Sequence, residues 1–364
     1  MSATRDEDIE VDAVTRPRNH ESLQAVPAMA REIRDAIVAS TRPVILTHAN
    51  PDADAVASAL GALALCRHLR REPTLVTAGD HVLPDNLRFL HGGQRLLEAD
   101  DAAIVSSDLL IFVDCADVAR LGPMFYELAS EFERHRAIIN IDHHVTNTRF
   151  GTLNLVVPEA SATAEIITAL LQALDLEIER DEATVLLAGL YGDTLGLRTP
   201  STTPGTLRAS AALIEAGADL DTIVDNLFRL KPFSTVTLWG EALQRAQWRG
   251  ALVWTAIYPD MLERSGASRA EAEGVVNFLA GVIGGRAGAL LYEEPWGWRV
   301  SLRSLDVDVS ELAGRHGGGG HPRAAGCRLP AGQAALEHFL NDIAAQLGPR
   351  SELASATRAG HVSV

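Results

Sequence analysis

Cysteine is scarce: Cys66, Cys115 and Cys327 lie far apart in a chain of 364 residues, with no paired spacing. That excludes a disulfide framework and a thiolate zinc ribbon, and suits small buried side chains. Aromatic residues make up only 5% of the chain, which leaves its cores to Ala, Leu, Val and Ile. Long apolar runs are missing too. The longest uncharged one, around Ala57 to Cys66, is far shorter than the ~20 residues needed to cross a bilayer. The N-terminus is polar and acidic without a signal-like apolar region, so no membrane partner and a cytoplasmic location are expected. Cations are outnumbered, 32 Lys and Arg against 48 Asp and Glu, for a net charge of −16. Such a surface repels long polyanions, because non-specific nucleic-acid binding needs clustered cations that release counterions. No long nucleic acid is expected as a partner, and a phosphate-bearing substrate should be small or gripped locally.

What is present suits two α/β domains with tails. Residues 1–25 alternate charges and small polar groups as a disordered arm does, and 348–364 form a similar tail. Between them the pattern predicts a catalytic domain over 26–230, a linker with one helix over 231–250 and a smaller domain over 251–347. In the first, short apolar runs read as strands: VILTH from Val44, PTLVTA from Pro73, LLIFVDCA from Leu109, AIINIDHH from Ala137 and TLNLVV from Thr152. Continuous apolar strands with helices between them predict a parallel sheet covered on both faces. In the second, LVWTAIY, AGALLYEE and WGWRVSLRS predict a mixed sheet, with a helix through Glu271 to Ile283 and a last helix from Gly332 to Leu347.

Three of the predicted strands end in acids or histidines: His48 with Asp52 and Asp54, then Asp114, then Asp142, His143 and His144. Ligands of open parallel sheets bind at the carboxyl ends of strands, so these groups are placed to converge, joined by Asp193 from the helix end AGLYGD. Four or more carboxylates in one crevice repel one another strongly unless cations are bound there. Asp52 and Asp54, two apart in a turn, can each reach one of two neighbouring ions, and Asp114 has two oxygens with which to bridge them. Dinuclear hydrolases hold such ions ~3.5 to 4 Å apart, so that hydroxide attacks phosphorus while both absorb the developing charge. Imidazole and carboxylate without thiolate suit Mn²⁺, with Mg²⁺ or Co²⁺ as substitutes. Each group also has an ordinary structural explanation. Asp52 and Asp54 can cap the following helix, Asp114 can bind a turn, and His143 with His144 can be an exposed pair.

Together, THANPDADAVAS, FVDCAD, NIDHHVTN and YGDTLGLRT resemble the four successive motifs of the DHH phosphoesterase family, over about residues 44 to 199. The resemblance implies one metal on His48, Asp52 and Asp114 and a second on Asp54, Asp114, His143 and Asp193. It implies further that His144 faces the substrate phosphate and that Asp142 orients the histidines. The chain departs from the family at Ala53, where glycine is frequent; alanine is small enough that no loss of metal binding is expected.

The segment GGGGHPRAAG is a separate signal. Glycines at a turn let backbone N–H groups approach an anion and form a nest, here Gly318, Gly319 and Gly320 with His321 and Arg323 beside them. A flexible glycine turn is the ordinary alternative, as a surface arginine is for Arg303. With WRVSLRS and VDVSELA, the segment resembles the DHH-associated C-terminal domain, in which the glycine loop and the arginine corresponding to Arg303 hold the substrate's phosphate or base end. The likeness is greatest to the nanoRNase and 3′,5′-bisphosphate nucleotidase branch, acting on short RNA or small nucleotides as a monomer or homodimer. Cyclic dinucleotide phosphodiesterases, pyrophosphatases or polyphosphatases, and a catalytically dead nucleotide-binding module are the competing readings.

Overall fold

The computed structural model describes residues 23–350 except 24, 50, 78–82, 91–100, 135–136 and 273, together with all their side chains but those of residues 101, 270 and 321. The chain divides between Leu230 and Lys231 into two compact units. Among the described residues no helix is long and apolar enough to cross a membrane.

The first unit holds helices α1 (Ala25–Ala39), α2 (Ala53–His68), α3 (Asp101–Ser106), α4 (Pro123–Glu127), α5 (Ala129–Arg134), α6 (Thr163–Ala173), α7 (Arg180–Asp193), α8 (Pro204–Glu215) and α9 (Leu220–Val224). Its strands are β1 (Pro43–Thr47), β2 (Thr74–Thr77), β3 (Leu109–Val113), β4 (Ile138–Asp142) and β5 (Leu153–Val156). They form one sheet in the order β2-β1-β3-β4-β5, parallel throughout. The expected strands are all present, and helices cover both faces. Alternate strand residues explain how. Ile45, Ile111, Val113, Ile139 and Ile141 pack with α1, α2, α6 and α7, whereas Leu46, Leu110 and Phe112 pack with Ile104, Leu121, Met124 and Phe132. In α1 the buried residues Val26, Ala30, Ile33 and Ile37 recur at helical spacing and make one apolar stripe. Helix α2 differs, being buried continuously from Asp54 to Cys66, which is why its sequence is apolar all round. At ~1.5 to 3 kcal/mol for each fully buried large aliphatic or aromatic side chain, this packing fixes where the strand ends lie.

The second unit holds helices α10 (Phe233–Gln244), α11 (Pro259–Ser265), α12 (Gly274–Ala280), α13 (Val309–Gly314) and α14 (Gln333–Leu347). Strands β6 (Gln247–Arg249), β7 (Leu252–Ile257), β8 (Ala287–Glu294), β9 (Gly297–Arg303), β10 (Gly319–His321) and β11 (Ala324–Pro330) form a sheet in the order β10-β11-β9-β8-β7-β6. Among the described residues only β7 and β8 of this sheet pair in parallel, so the sheet is mixed, as expected. Leu238, Val276 and Leu279 cover Leu290 and Tyr292 on one face, and Val309, Phe339 and Leu340 cover Leu291, Val300 and Leu302 on the other.

Two expectations need correction here. Residues 231–250 are not a free linker: α10 buries Leu238 and Ala242 in the second unit's core, and β6 pairs with β7 as an edge strand. The helix expected through Glu271 to Ile283 contracts to α12 after a short 3₁₀ turn, Ala270–Ala272.

Candidate metal centre

Strands β1, β3 and β4 lie side by side, and β2 and β3 flank β1 on opposite edges, so the chain changes direction across the sheet between β1 and β3. That switch point opens a crevice at the carboxyl ends of the strands, where open α/β sheets bind ligands. His48 follows β1, Asp114 follows β3, and Asp142 ends β4 with His143 and His144 after it. Asp114 has a φ of +53°, a left-handed conformation that a short polar side chain tolerates better than most, and its N–H donates to Ile141 O at 3.0 Å. The turn sends its carboxylate into the crevice rather than along the strand.

Three groups of candidate ligand atoms result: His48, Asp52 and Asp114; Asp54, His143 and Asp193; Asp114, His143 and His144. His143 Nε2 lies 3.3 Å from Asp193 Oδ2, 3.7 Å from Asp114 Oδ1 and 3.9 Å from Asp54 Oδ2. His48 Nε2 lies 3.7 Å from Asp114 Oδ2, and among the described residues no hydrogen-bond partner reaches it although it is buried. Most of these separations are too long for hydrogen bonds, but ligand atoms bound to one ion at ~2.0 to 2.2 Å stand about this far apart. The orphaned imidazole nitrogen and an all-nitrogen-and-oxygen donor set therefore fit divalent cations. Each histidine's other nitrogen is anchored, Nδ1 of His48 to Ala49 O at 2.9 Å and Nδ1 of His143 to Ala160 O at 3.3 Å, which leaves Nε2 for the crevice.

Charge tells the same story. Burial, then the carboxylates of Asp114, Asp193 and Asp52, push Asp54 well above the usual carboxylate range. Burial, then Asp52 and Asp114, do the same to Asp193. Asp114 is lowered instead: burial alone would raise it, but His48, His143 and His144 outweigh burial. Burial would lower His48 and His144, yet each is raised on balance, His48 by Asp114 and Asp52 and His144 by Asp142 and Asp114. Burial and mutual repulsion thus disfavour the charged forms of Asp54 and Asp193, a cost that bound cations would offset.

The ordinary role expected of Asp52 is present alongside its place in the cluster. Its Oδ1 caps α2, accepting from the N–H groups of Asp54 and Ala55 at 3.1 Å each. Asp142 is buried and faces the histidines: Oδ1 accepts from His143 N at 2.8 Å and sits 2.7 Å from His144 Nδ1, and Oδ2 accepts from Asn147 Nδ2 at 2.6 Å. Ala53 sits over Gly192; a Cβ at 192 would lie 2.5 Å from that of Ala53, so the glycine houses the methyl group.

Two further groups reach the crevice without a sequence motif to mark them. The N–H groups of Thr163 and Ala164, opening α6, donate to the two oxygens of Asp54 at 2.6 and 2.9 Å, and Thr163 Oγ1 donates to Asp114 Oδ1 at 3.0 Å. Arg120, in the 3₁₀ turn Val118–Leu121, lies with Nη1 3.4 Å from His144 Nε2. The only available signal was a Ser-Ala-Thr run before an apolar helix, an N-terminal pattern that speaks of capping rather than of a site.

In the second unit, Arg303 and Gly318 line a common cavity, whereas Gly319, Gly320 and Arg323 are not among its lining residues. The side chain of His321 lies outside the described part. Of the expected nest, Gly318 N is taken by Ala313 O, and Gly319 and Gly320 lie in the edge strand β10 opposite Gly326 and Ala325. Glycine is nevertheless required at 318, where a Cβ would lie 2.1 Å from Gly326 O.

Comparison with known proteins agrees with this architecture. Residues 42–190 match the DHH family, N-terminal domain, and residues 254–348 match the DHHA1 domain. The bifunctional oligoribonuclease and PAP phosphatase NrnA of Thermus thermophilus is 31% identical over 315 residues, 86% of this chain and 90% of that protein. Its Bacillus subtilis namesake is 28% identical, over 79% of this chain and 88% of its own. An exopolyphosphatase-related protein from Bacteroides fragilis shares the fold with a TM-score of 0.80 at 21% identity, covering 88% of this chain and 97% of that one. With both matched segments in order and a relative aligned over nearly its whole length, this chain belongs to the DHH phosphoesterase family.

Proposed function

We propose that this chain hydrolyses very short oligoribonucleotides and adenosine 3′,5′-bisphosphate to mononucleotides, using two divalent cations, manganese by preference. The observation that carries this is the set of three acid and imidazole groups gathered from the ends of β1, β3, β4 and α7, of which Asp114 is common to two and His143 to two. His48, Asp52 and Asp114 would hold one ion, and Asp54, Asp114, His143 and Asp193 the other. When bound, such a pair neutralises charge developing on phosphoryl oxygens and makes water acidic enough to attack at neutral pH.

The remaining work belongs to the chain's own groups. Asp142 and Asn147 hold the His144 ring so that Nε2 is the nitrogen left to meet a phosphate oxygen. Arg120, whose Nη1 lies 3.4 Å from His144 Nε2, would join His144 on one anion and so fix phosphorus for in-line displacement. The raised pKa of His144 keeps more of it protonated near neutrality, a state able to donate to the departing oxygen. In the second unit, Arg303 beside Gly318 would take an anionic part of the nucleotide. The names of the Thermus and Bacillus relatives pair the same two activities and support this choice of substrates.

The test is a chromatographic panel on manganese-loaded protein: adenosine 3′,5′-bisphosphate, di- and pentaribonucleotides, cyclic di-AMP, pyrophosphate and a long single strand. Mononucleotides should appear from the bisphosphate and the short RNAs. Hydrolysis of pyrophosphate alone would sink the nucleotide reading.

A further inference from the structure

Among the described residues four acids are buried: Asp54, Asp114, Asp142 and Glu165. Asp54 and Asp114 are candidate ligands and Asp142 holds His144, which leaves Glu165 without a role. It is 1% exposed, so its carboxyl group needs partners inside the protein. They come from two directions. Oε2 accepts from the N–H and the hydroxyl of Ser161 at 2.9 and 2.7 Å, and from the hydroxyl of Thr206 at 3.1 Å. The Thr206 hydroxyl accepts in turn from Thr203 N at 3.0 Å, so the capping box of α8 ends on this carboxyl group. Gly205 lets α8 come so close, since a Cβ there would lie 2.9 Å from Glu165 Oε1. Local sequence explains the bond to Ser161. The N-cap of α6 is Ala162, which has no side-chain oxygen to cap with, and Glu165 at the third helical position turns back past it to Ser161. The first N–H groups of the helix are thereby left for Asp54, to which Thr163 N and Ala164 N donate at 2.6 and 2.9 Å.

Ser161 thus sits between residues that touch the metal centre. Just before it, Ala160 O lies 3.3 Å from His143 Nδ1; just beyond Ala162, Thr163 Oγ1 donates to Asp114 Oδ1 at 3.0 Å. The far end of the segment is tied by Val157 N, which donates to Asp142 O at 2.9 Å. These contacts reach Asp54, His143 and the Asp114 oxygen that faces His143, whereas Asp114 Oδ2 faces His48. Among the described residues none of the segment's hydrogen bonds falls on His48 or Asp52. We propose that Glu165 is a positioning residue for one of the two ions. By locking Ser161 it makes residues 157–164 a brace for Asp54, Asp114 and His143, and so serves the ion of Asp54, His143 and Asp193 more than that of His48 and Asp52. The proposal rests on the two-ion reading above. Ligands already held in their bound orientation lose less freedom when the ion arrives.

The metal-stripped full chain, Glu165→Ala and Glu165→Gln are titrated calorimetrically with Mn²⁺, after circular dichroism has checked each fold. In Glu165→Ala one of two equivalents should weaken about tenfold, as loss of a ligand's support does, while the other stays within about twofold. Glu165→Gln keeps an acceptor oxygen for Ser161 and should lie between wild type and Glu165→Ala. In an Asp193→Asn background, which already lacks a ligand to the braced ion, Glu165→Ala should move the remaining site by no more than about twofold. Amide hydrogen exchange without metal should be faster at Thr163 and Ala164 in Glu165→Ala and unchanged in β1. Ser161→Ala removes one donor and leaves the carboxyl group; where Glu165→Ala does not fold, it carries the test, with a loss of about threefold at the same ion. Equal weakening of both equivalents, unchanged affinity for both, or unchanged exchange at Thr163 and Ala164 overturns the proposal. A wild type that takes up a single equivalent defeats the two-ion reading instead. Exchange at Thr163 and Ala164 then decides alone: faster exchange sustains the brace, and unchanged exchange removes it.

Discussion

Replacing Gly189 with alanine tests how closely the packing of the first unit is tied to its metal centre. A Cβ there would lie 2.6 Å from Ala57 Cβ, 3.0 Å from Ala164 Cβ and 3.1 Å from Asp54 Oδ1. None of these atoms is the far end of a flexible side chain. To restore an ordinary contact of 3.4 to 4 Å from the present 2.6 Å, α7 must withdraw from α2 by about 1 Å. Overpacking of this kind costs ~1 to 3 kcal/mol, and the better helix propensity of alanine returns ~0.8 to 1. A net loss of about 1 kcal/mol lowers the melting temperature of a unit this size by ~2 to 4 °C. Gly61→Ala is the control. Its Cβ would meet Leu186 Cδ2 at 2.6 Å and Ile167 Cγ2 at 3.0 Å, side-chain ends on the same helix layer but away from the ligands. Thermal melts in EDTA should show both variants destabilised. Calorimetric titration with Mn²⁺ should show about tenfold weaker binding for Gly189→Ala only, since displacing a ligand's support typically costs ~10 to 100-fold. A Gly189→Ala protein that melts higher than wild type and binds Mn²⁺ equally well would refute the reasoning.

Other consequences follow from the same contacts. Thr163→Val keeps shape but removes the hydroxyl that donates to Asp114 Oδ1 at 3.0 Å; Mn²⁺ affinity should fall by about tenfold, against no change if the hydroxyl is incidental. Arg120→Gln should lower kcat more than KM, with Mn²⁺ binding intact, if the guanidinium beside His144 meets the phosphate and not the ions as proposed. Glu271 accepts from the hydroxyls of Ser234 and Thr235 and from Ser268 N; burial alone would raise its pKa, but these donors bring it down from 4.5 to about 2. A depressed folded-state pKa stabilises above the unfolded value and is lost as pH falls through the folded one. Glu271→Gln should therefore cost about 1 kcal/mol at neutral pH, allowing for solvent screening. In denaturant melts that deficit should shrink between pH 4.5 and 2, and a pH-independent deficit would contradict the assignment.

The strands and the acids at their ends were legible because a polar residue closing a run such as LLIFV breaks an apolar pattern that only a buried strand produces. Thr163 was not, since its hydroxyl reaches Asp114 from an element 49 residues later and a threonine before an apolar helix looks like any cap. The glycine strand β10 escaped for a physical reason as well. Glycine has little preference for extended structure, and this strand is held by backbone pairing with β11 rather than by side-chain packing. β6 was lost likewise: Gln247 and Trp248 are exposed on an edge, so no alternation marks them.

The central claim is that one carboxylate, Asp114, serves two divalent ions at the switch point of the sheet. Isothermal titration of the metal-stripped full chain with Mn²⁺ tests it most directly, with Asp114→Asn titrated in parallel after its fold is checked by circular dichroism. Wild type should take up about two equivalents, while the variant loses high-affinity binding of both. A single equivalent in the wild type, or two undisturbed equivalents in the folded variant, would contradict it.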